Sequence, residues 1–233
     1  MVLTGTIVNG LAIVLASLIG LMVRNIPEQM KTTIMQGLAL AVVVLGIGMS
    51  LKSEQFLIVI GSLVLGGIIG EKLDLEGSLN RLGAWIEAKV GAKENGSVAK
   101  GFVTATLIYV VGAMAILGSL DSGLRGDHSV LYTKSMLDGF SAIIFTSTLG
   151  IGVMFSAIPV VLYQGGIALL ATQINQFVPE VLMSTFITEM TATGGVMIIA
   201  IGLNILGIVQ IRVANLLPSI VVVAGLVLAL YMI

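Results

Sequence analysis

The sequence predicts an all-α, polytopic membrane protein with about eight transmembrane segments. Three observations predict it. Of the 233 residues, 57% are hydrophobic and only 10% are charged, where a soluble chain carries roughly 25% charged residues. Mean hydropathy is +1.12. The charges also cluster, leaving long stretches free of Asp, Glu, Lys and Arg. A chain so poor in polar residues cannot cover a water-facing globule. Its 11 basic and 12 acidic residues offer no basic surface for a nucleic acid. The absence of cysteine excludes disulfides, thiolate metal sites and cysteine catalysis. His128 is the single histidine, which argues against a histidine metal site or a catalytic triad. No metal site, no cofactor and no enzyme activity are expected, since no nucleophile–base pair stands out.

The charge-free windows are 1–23, 32–51, 55–70, 101–120, 139–179, 190–211 and 213–233. About 20 apolar residues cross about 30 Å of hydrocarbon, so most windows hold one segment. The window 139–179 is too long for one helix, and Ile158-Pro159 is the expected break. Seven to nine segments fit these windows. The N-terminus has no basic region and no small-residue cleavage site, so the first segment is expected to be retained. Arg24, Lys31, Lys72, Arg81, Lys89, Lys93 and Lys100 fall in one set of alternate connections, and Lys52, Arg125 and Lys134 in the other. The positive-inside rule therefore places the N-terminus outside. Residues 72–95 are the polar stretch, with Leu75, Leu79, Leu82, Ile86 and Val90 on one helical stripe and Trp85 beside it. They predict an amphipathic helix on the cytoplasmic face.

The two ends of the chain resemble each other. Ile26-Pro27-Glu28 recurs as Val178-Pro179-Glu180, and the run 58–65 resembles 221–228. Segments 1–3 then correspond to segments 6–8. Five segments precede the second copy, so it is inverted, as in many secondary transporters. The expected organisation is repeat A over 1–70, the cytoplasmic helix over 71–97, a central two-segment unit over 98–158 and repeat B over 159–233.

Ionisable groups inside a span are expensive and usually functional. Glu189 lies in Thr188-Glu189-Met190-Thr191-Ala192-Thr193-Gly194-Gly195, where a helix broken at the glycines would expose backbone beside a carboxylate. Thr193 shares its face. The plain alternative is that the segment starts late and Glu189 sits at the interface. Lys134, Asp138, Ser141 and Thr148 form a second stripe. Lys134 and Asp138 can neutralise each other, as a substrate site or as a structural pair. The third feature is Gly118–Asp127, whose glycines and aspartates predict a tight extracellular or re-entrant loop that ends on Asp127. Gln36 lies near the repeat equivalent of Glu189, and Asn215 opens the last segment. Asn9 adds an uncharged polar group in the first.

The run Gly118-Ser119-x-x-x-Gly123-Leu124-x-Gly126-Asp127-x-x-x-Leu131-x-x-Lys134-Ser135-x-Leu137-Asp138, then Ile144-Phe145 and Leu149-Gly150, resembles the signature of the DUF554 family. Pro27-Glu28, Gly70-Glu71 and Asn215-x-Leu-Pro218 extend the resemblance over the chain. It implies a multi-pass bacterial inner-membrane protein and supplies neither a substrate nor site residues. The residues themselves favour a secondary transporter of a small polar or anionic solute, coupled to H⁺ or Na⁺. No Walker-type loop is present, so ATP hydrolysis in cis is not available. Two alternatives stand beside it: a channel-like pore with the Gly/Asp loop as filter, and a non-transporting scaffold that docks through the 72–95 helix. The expected partners are the lipid bilayer, a small solute or ion, and a second copy of the chain.

Overall fold

The computed structural model describes residues 1–22, 27–90 and 97–232, and every regular element among them is helical. Arg24, Ile26 and Lys93 lie outside the described residues, as do the side chains of Leu82, Ile86 and Val90. Among the described residues, six helices are long and apolar enough to cross a membrane, or seven if one bent pair counts as a single span. The expectation was about eight. The helix carrying Lys134 and Asp138 is 21 residues long but is not among the six.

The described chain divides into two compact units, 1–27 with 82–178 and 28–81 with 179–233. The first unit is built on α1 (Thr4–Met22) and α7 (Ser129–Leu149), which pack along their lengths. A Cβ added to Gly5 would meet Leu131, one on Gly20 would meet Ile143 and Thr146, and Gly139 faces Ala12. Partner numbers rise together at an offset of about 126, so the two helices run parallel. Around them stand α5 (Ser97–Val110), α6 (Ala113–Leu124), α8 (Gly152–Phe155), α9 (Ala157–Leu169) and α10 (Ala171–Phe177). Gly10 faces Val161 and Thr6 lies beside Gly165, so α9 is antiparallel to α1. The axes of α5 and α6 differ by 59° across the bend at Gly112.

The second unit pairs α2 (Glu28–Ser50) with α11 (Glu180–Leu206), and α3 (Phe56–Leu73) with α12 (Ser219–Tyr231). Gly46 meets Gly195, and Gly202 meets Val43 and Ala39, so α2 and α11 are antiparallel. Gly70 against Asn215, Gly66 against Ser219 and Gly61 against Leu226 give α3 and α12 the same relation. A 3₁₀ turn, Val213–Leu216, precedes α12. The residue Asp74 adopts a left-handed conformation (φ 46°) and turns the chain from α3 into α4 (Leu75–Val90). On α4, Leu75 and Leu79 are half-buried and Trp85 is exposed.

Three local expectations are corrected. The helix break in 139–179 falls at Gly150, where φ is +82°, and not at Ile158-Pro159. Pro159 lies in the first turn of α9, where a missing N–H costs nothing. The α11 helix runs unbroken through Gly194-Gly195. Those glycines serve packing: a Cβ on Gly195 would stand 2.5 Å from the Ser50 nitrogen and 2.7 Å from the Gly46 oxygen. Finally, Gly118–Leu124 is the second half of α6 and not a loop. Gly118 and Gly123 admit Leu131 and Ala168–Ala171, and Gly126, with φ +67°, makes the turn into α7.

Gly195→Ala should therefore lower stability by about 1–3 kcal/mol through overpacking. Gly37→Ala, on the same helix pair but with nothing within 4 Å, should be neutral or stabilising by up to about 1 kcal/mol. Thermal unfolding of both variants in detergent checks the contrast.

Candidate functional site

In the first unit, four polar side chains meet between α1, α7 and α9. Lys134 and Asp138 are one turn apart on α7, and the Lys134 Nζ lies 2.9 Å from Asp138 Oδ1 and 2.8 Å from Oδ2. Asn9 Nδ2, from α1, donates to Asp138 Oδ2 at 3.0 Å and to Gln164 Oε1, from α9, at 3.3 Å. Exposure is 0% for Asn9, 1% for Gln164, 5% for Asp138 and 7% for Lys134. An ion pair this deep survives only with close contact and supporting hydrogen bonds. The pairing leaves polar atoms over. Asn9 Oδ1, Gln164 Nε2 and Thr6 Oγ1 are buried without a hydrogen-bond partner. Thr6 is one turn before Asn9 on α1. Buried polar groups are seldom left unpaired; of the eight such side-chain atoms among the described residues, these three lie on neighbouring turns of α1 and on α9, which packs against it.

Ser141 lies one turn further along α7. Its hydroxyl lies 2.9 and 3.0 Å from the carbonyl oxygens of Leu137 and Asp138 and 3.4 Å from Tyr109 Oη on α5, with one proton to share among them.

In the second unit, Glu189 is completely buried on α11. Both of its oxygens are occupied. Ser53 Oγ donates to Oε2 at 2.6 Å, and the backbone N–H groups of Glu54 and Gln55 donate to Oε1 at 2.9 Å each. Those amides stand at the start of α3, whose N-cap residue Gln55 makes no side-chain cap of its own. Glu189 thus supplies from α11 the negative charge that a helix N-terminus favours. Thr193, one turn on, pairs with Ser62 of α3 at 3.3 Å.

Asn215 belongs to a reciprocal lock at the α3–α4 turn. It donates to Glu71 Oε2 at 2.6 Å and accepts from the Glu76 N–H at 2.7 Å. Glu76 accepts in return from the Ala214 N–H at 3.0 Å, and Arg212 pairs with Glu71 at 2.6 Å. Asp127 is exposed and caps α7, accepting from the Ser129 N–H at 2.9 Å and its hydroxyl at 2.6 Å. Those bonds to Ser129 hold its carboxyl below the usual range. The stability it adds is present above the ordinary carboxylate value and is lost as pH falls through the lowered one. Gln36 is exposed on α2, and among the described residues no cluster of three or more His, Cys, Asp or Glu side chains could hold a metal ion.

Of the sequence candidates, the structure brings Lys134 and Asp138 together, with Ser141 on the next turn, and keeps Glu189 with Thr193. Gln164 was missed. Its signal was available: a glutamine in an otherwise apolar segment, followed by Gly165-Gly166.

Glu189→Ala should leave two amide donors at α3 without an acceptor and lower stability by about 1–3 kcal/mol. Hydrogen exchange at residues 54–58 should rise in that variant, and unchanged protection there would refute the capping role.

No solved structure matches the chain. The profile of the family described as "Protein of unknown function (DUF554)" matches residues 4–228. The chain is 34% identical over 223 residues to the Bacillus subtilis (strain 168) protein named "Uncharacterized membrane protein YdfK", covering 94% of this chain and 93% of that one. It is 30% identical over 222 residues to the Escherichia coli (strain K12) "Uncharacterized protein YqgA", covering 92% of each. With its helical spans, its central Gly-Asp motif and a match over nearly its whole length, the chain belongs to the DUF554 family of membrane proteins.

Proposed function

We propose that the chain is a secondary transporter of a small polar or anionic solute, coupled to H⁺ or Na⁺, in a bacterial plasma membrane with its N-terminus outside. One observation carries this reading: a buried Lys134–Asp138 pair flanked by Asn9 and Gln164, with unpaired polar atoms beside it. A purely structural pair would be expected to consume the polar groups around it, as Glu189 does with its three donors. The site is therefore read as Asn9, Lys134, Asp138 and Gln164, with Glu189 and Thr193 bracing the second unit.

The inverted repeat belongs to the same reading. Its supposed mates pack on one another antiparallel, α1 on α9, α2 on α11 and α3 on α12. The two Pro-Glu pairs both stand where a helix begins, at α2 and at α11. A chain that alternates direction at each of eight crossings, counting α5–α6 and α7 as one each, would have these relations and the parallel α1–α7 pair.

The test is a thermal-shift screen of the purified protein against small carboxylates, amino acids, sugars and Na⁺, followed by uptake in proteoliposomes. A ligand at 100 times its dissociation constant stabilises by about 2.7 kcal/mol. Asn9→Leu combined with Gln164→Leu should abolish the shift and cut uptake at least tenfold while the protein still folds. Uptake equal to wild type in that variant would sink the site, and ohmic single-channel current would favour the pore.

A further inference from the structure

The Lys134–Asp138 pair is electrically neutral and almost completely buried, at 7% and 5% exposure. Any solute that enters must leave the cluster near neutrality, because an uncompensated charge in hydrocarbon is prohibitive. The unpaired atoms indicate how. Gln164 Nε2 is a donor without an acceptor, and the Thr6 hydroxyl has no partner. The Lys134 ammonium and the spare N–H of Gln164, connected through Asn9 and Asp138, are donors that suit an acceptor-rich anion, and the Thr6 hydroxyl can donate as well as accept. Asn9 Oδ1 is an acceptor without a donor, beside an Asp138 carboxylate that already receives Asn9 Nδ2. That acceptor has no use for an ionised Asp138, but it could take the O–H of a protonated one.

Resting on the transporter reading above, we infer that the cluster exchanges counter-ions. Lys134 takes a small monovalent carboxylate in place of Asp138, and Asp138 takes up one proton. No covalent bond other than the new O–H forms or breaks. The proton comes from the aqueous side with the anion, and the site is neutral before and after. A dianion would leave a negative charge behind. A cation would be repelled by the Lys134 ammonium, which Asp138 already neutralises. Transport by this exchange moves one proton with each monoanion and carries no net charge.

The other ionisable groups on the elements packed against α7 are few. On α5 there are Lys100 and Tyr109. Asp121, on α6, pairs with Arg125 at 3.4 Å, and Tyr163 lies on α9. Neither α1 nor α8 has an ionisable side chain, and His128 at the start of α7 is bonded to Ser122 at 2.8 Å.

The experiment uses the purified full chain and measures binding of pyruvate, L-lactate and glycolate by thermal shift across pH. Apparent affinity in the wild type should fall about tenfold per pH unit as pH rises, as linkage to one proton requires. In Asp138→Asn the anion should bind with no pH dependence, and its uptake should no longer respond to a pH gradient. An infrared band of a protonated carboxyl should appear on adding the anion to wild type and be absent from Asp138→Asn. If that variant fails to fold, Lys134→Met with Asp138→Asn restores neutrality and should fold without binding any of the three. Anion binding without pH dependence in the wild type, or an unchanged slope in Asp138→Asn, overturns the exchange and leaves the transporter reading standing. Shifts by sugars or Na⁺ with none by the three anions overturn the substrate class alone. No shift by any compound, with no uptake, overturns both.

Discussion

A charged side chain inside hydrocarbon has no water to turn to, so the protein must supply its hydrogen-bond partners. That demand organises both units of this chain. In the second it is met by a helix end: the Glu189 carboxylate takes the free amides of Glu54 and Gln55 and the Ser53 hydroxyl. Placing α3's N-terminus on α11 satisfies two needs at once, the charge on one helix and the unpaired N–H groups on the other. In the first unit the demand is met by an opposite charge one turn away and by the Asn9 amide, which also donates to Gln164. The first arrangement is saturated and the second is not. Therein lies the chemical difference between a brace and a candidate site.

Close helix contact makes both arrangements geometrically possible. Without water to drive apolar association, helices in a membrane hold together by packing, and small residues let backbones approach. Gly5 and Gly20 bring α1 onto α7 on either side of Asn9. Gly46 and Gly195 do the same for α2 and α11 within two turns of Glu189. Many of the described glycines thus mark places where helices cross. A few glycines instead adopt positive φ to turn the chain, as Gly126 and Gly150 do.

Composition and charge spacing made the class and most helices legible, and the resemblance carried by the Gly118–Asp138 motif pointed to the family. The pairing of Lys134 with Asp138 was legible too, because their spacing on one helix is a local property. Local breaks were harder to place. Proline at 159 looked like the breaker, yet a proline in a first turn is tolerated, and Gly150 broke the chain instead. Gly194-Gly195 looked like a fracture and proved to be a contact, since a sequence does not reveal what approaches a glycine. Glu189 is buried on a helix long and apolar enough to cross a membrane. Its partners at 53–55 lie more than 130 residues away, and no local pattern announces a helix end as the acceptor's mate. Gln164 was passed over because one amide in an apolar run carries little weight until Asn9 and Asp138 are seen beside it.

The parallel pairing of α1 with α7 also has a consequence for how the protein is made. Its contacts join residues about 126 apart in sequence. At roughly 5–20 residues per second of synthesis, α1 exists for about 6–25 s before its main partner emerges. During that interval Asn9 has neither Asp138 nor Gln164 to bond. The first helix of the chain is long and apolar enough to cross a membrane alone, so it carries Asn9 without its polar partners until the second half of the protein arrives.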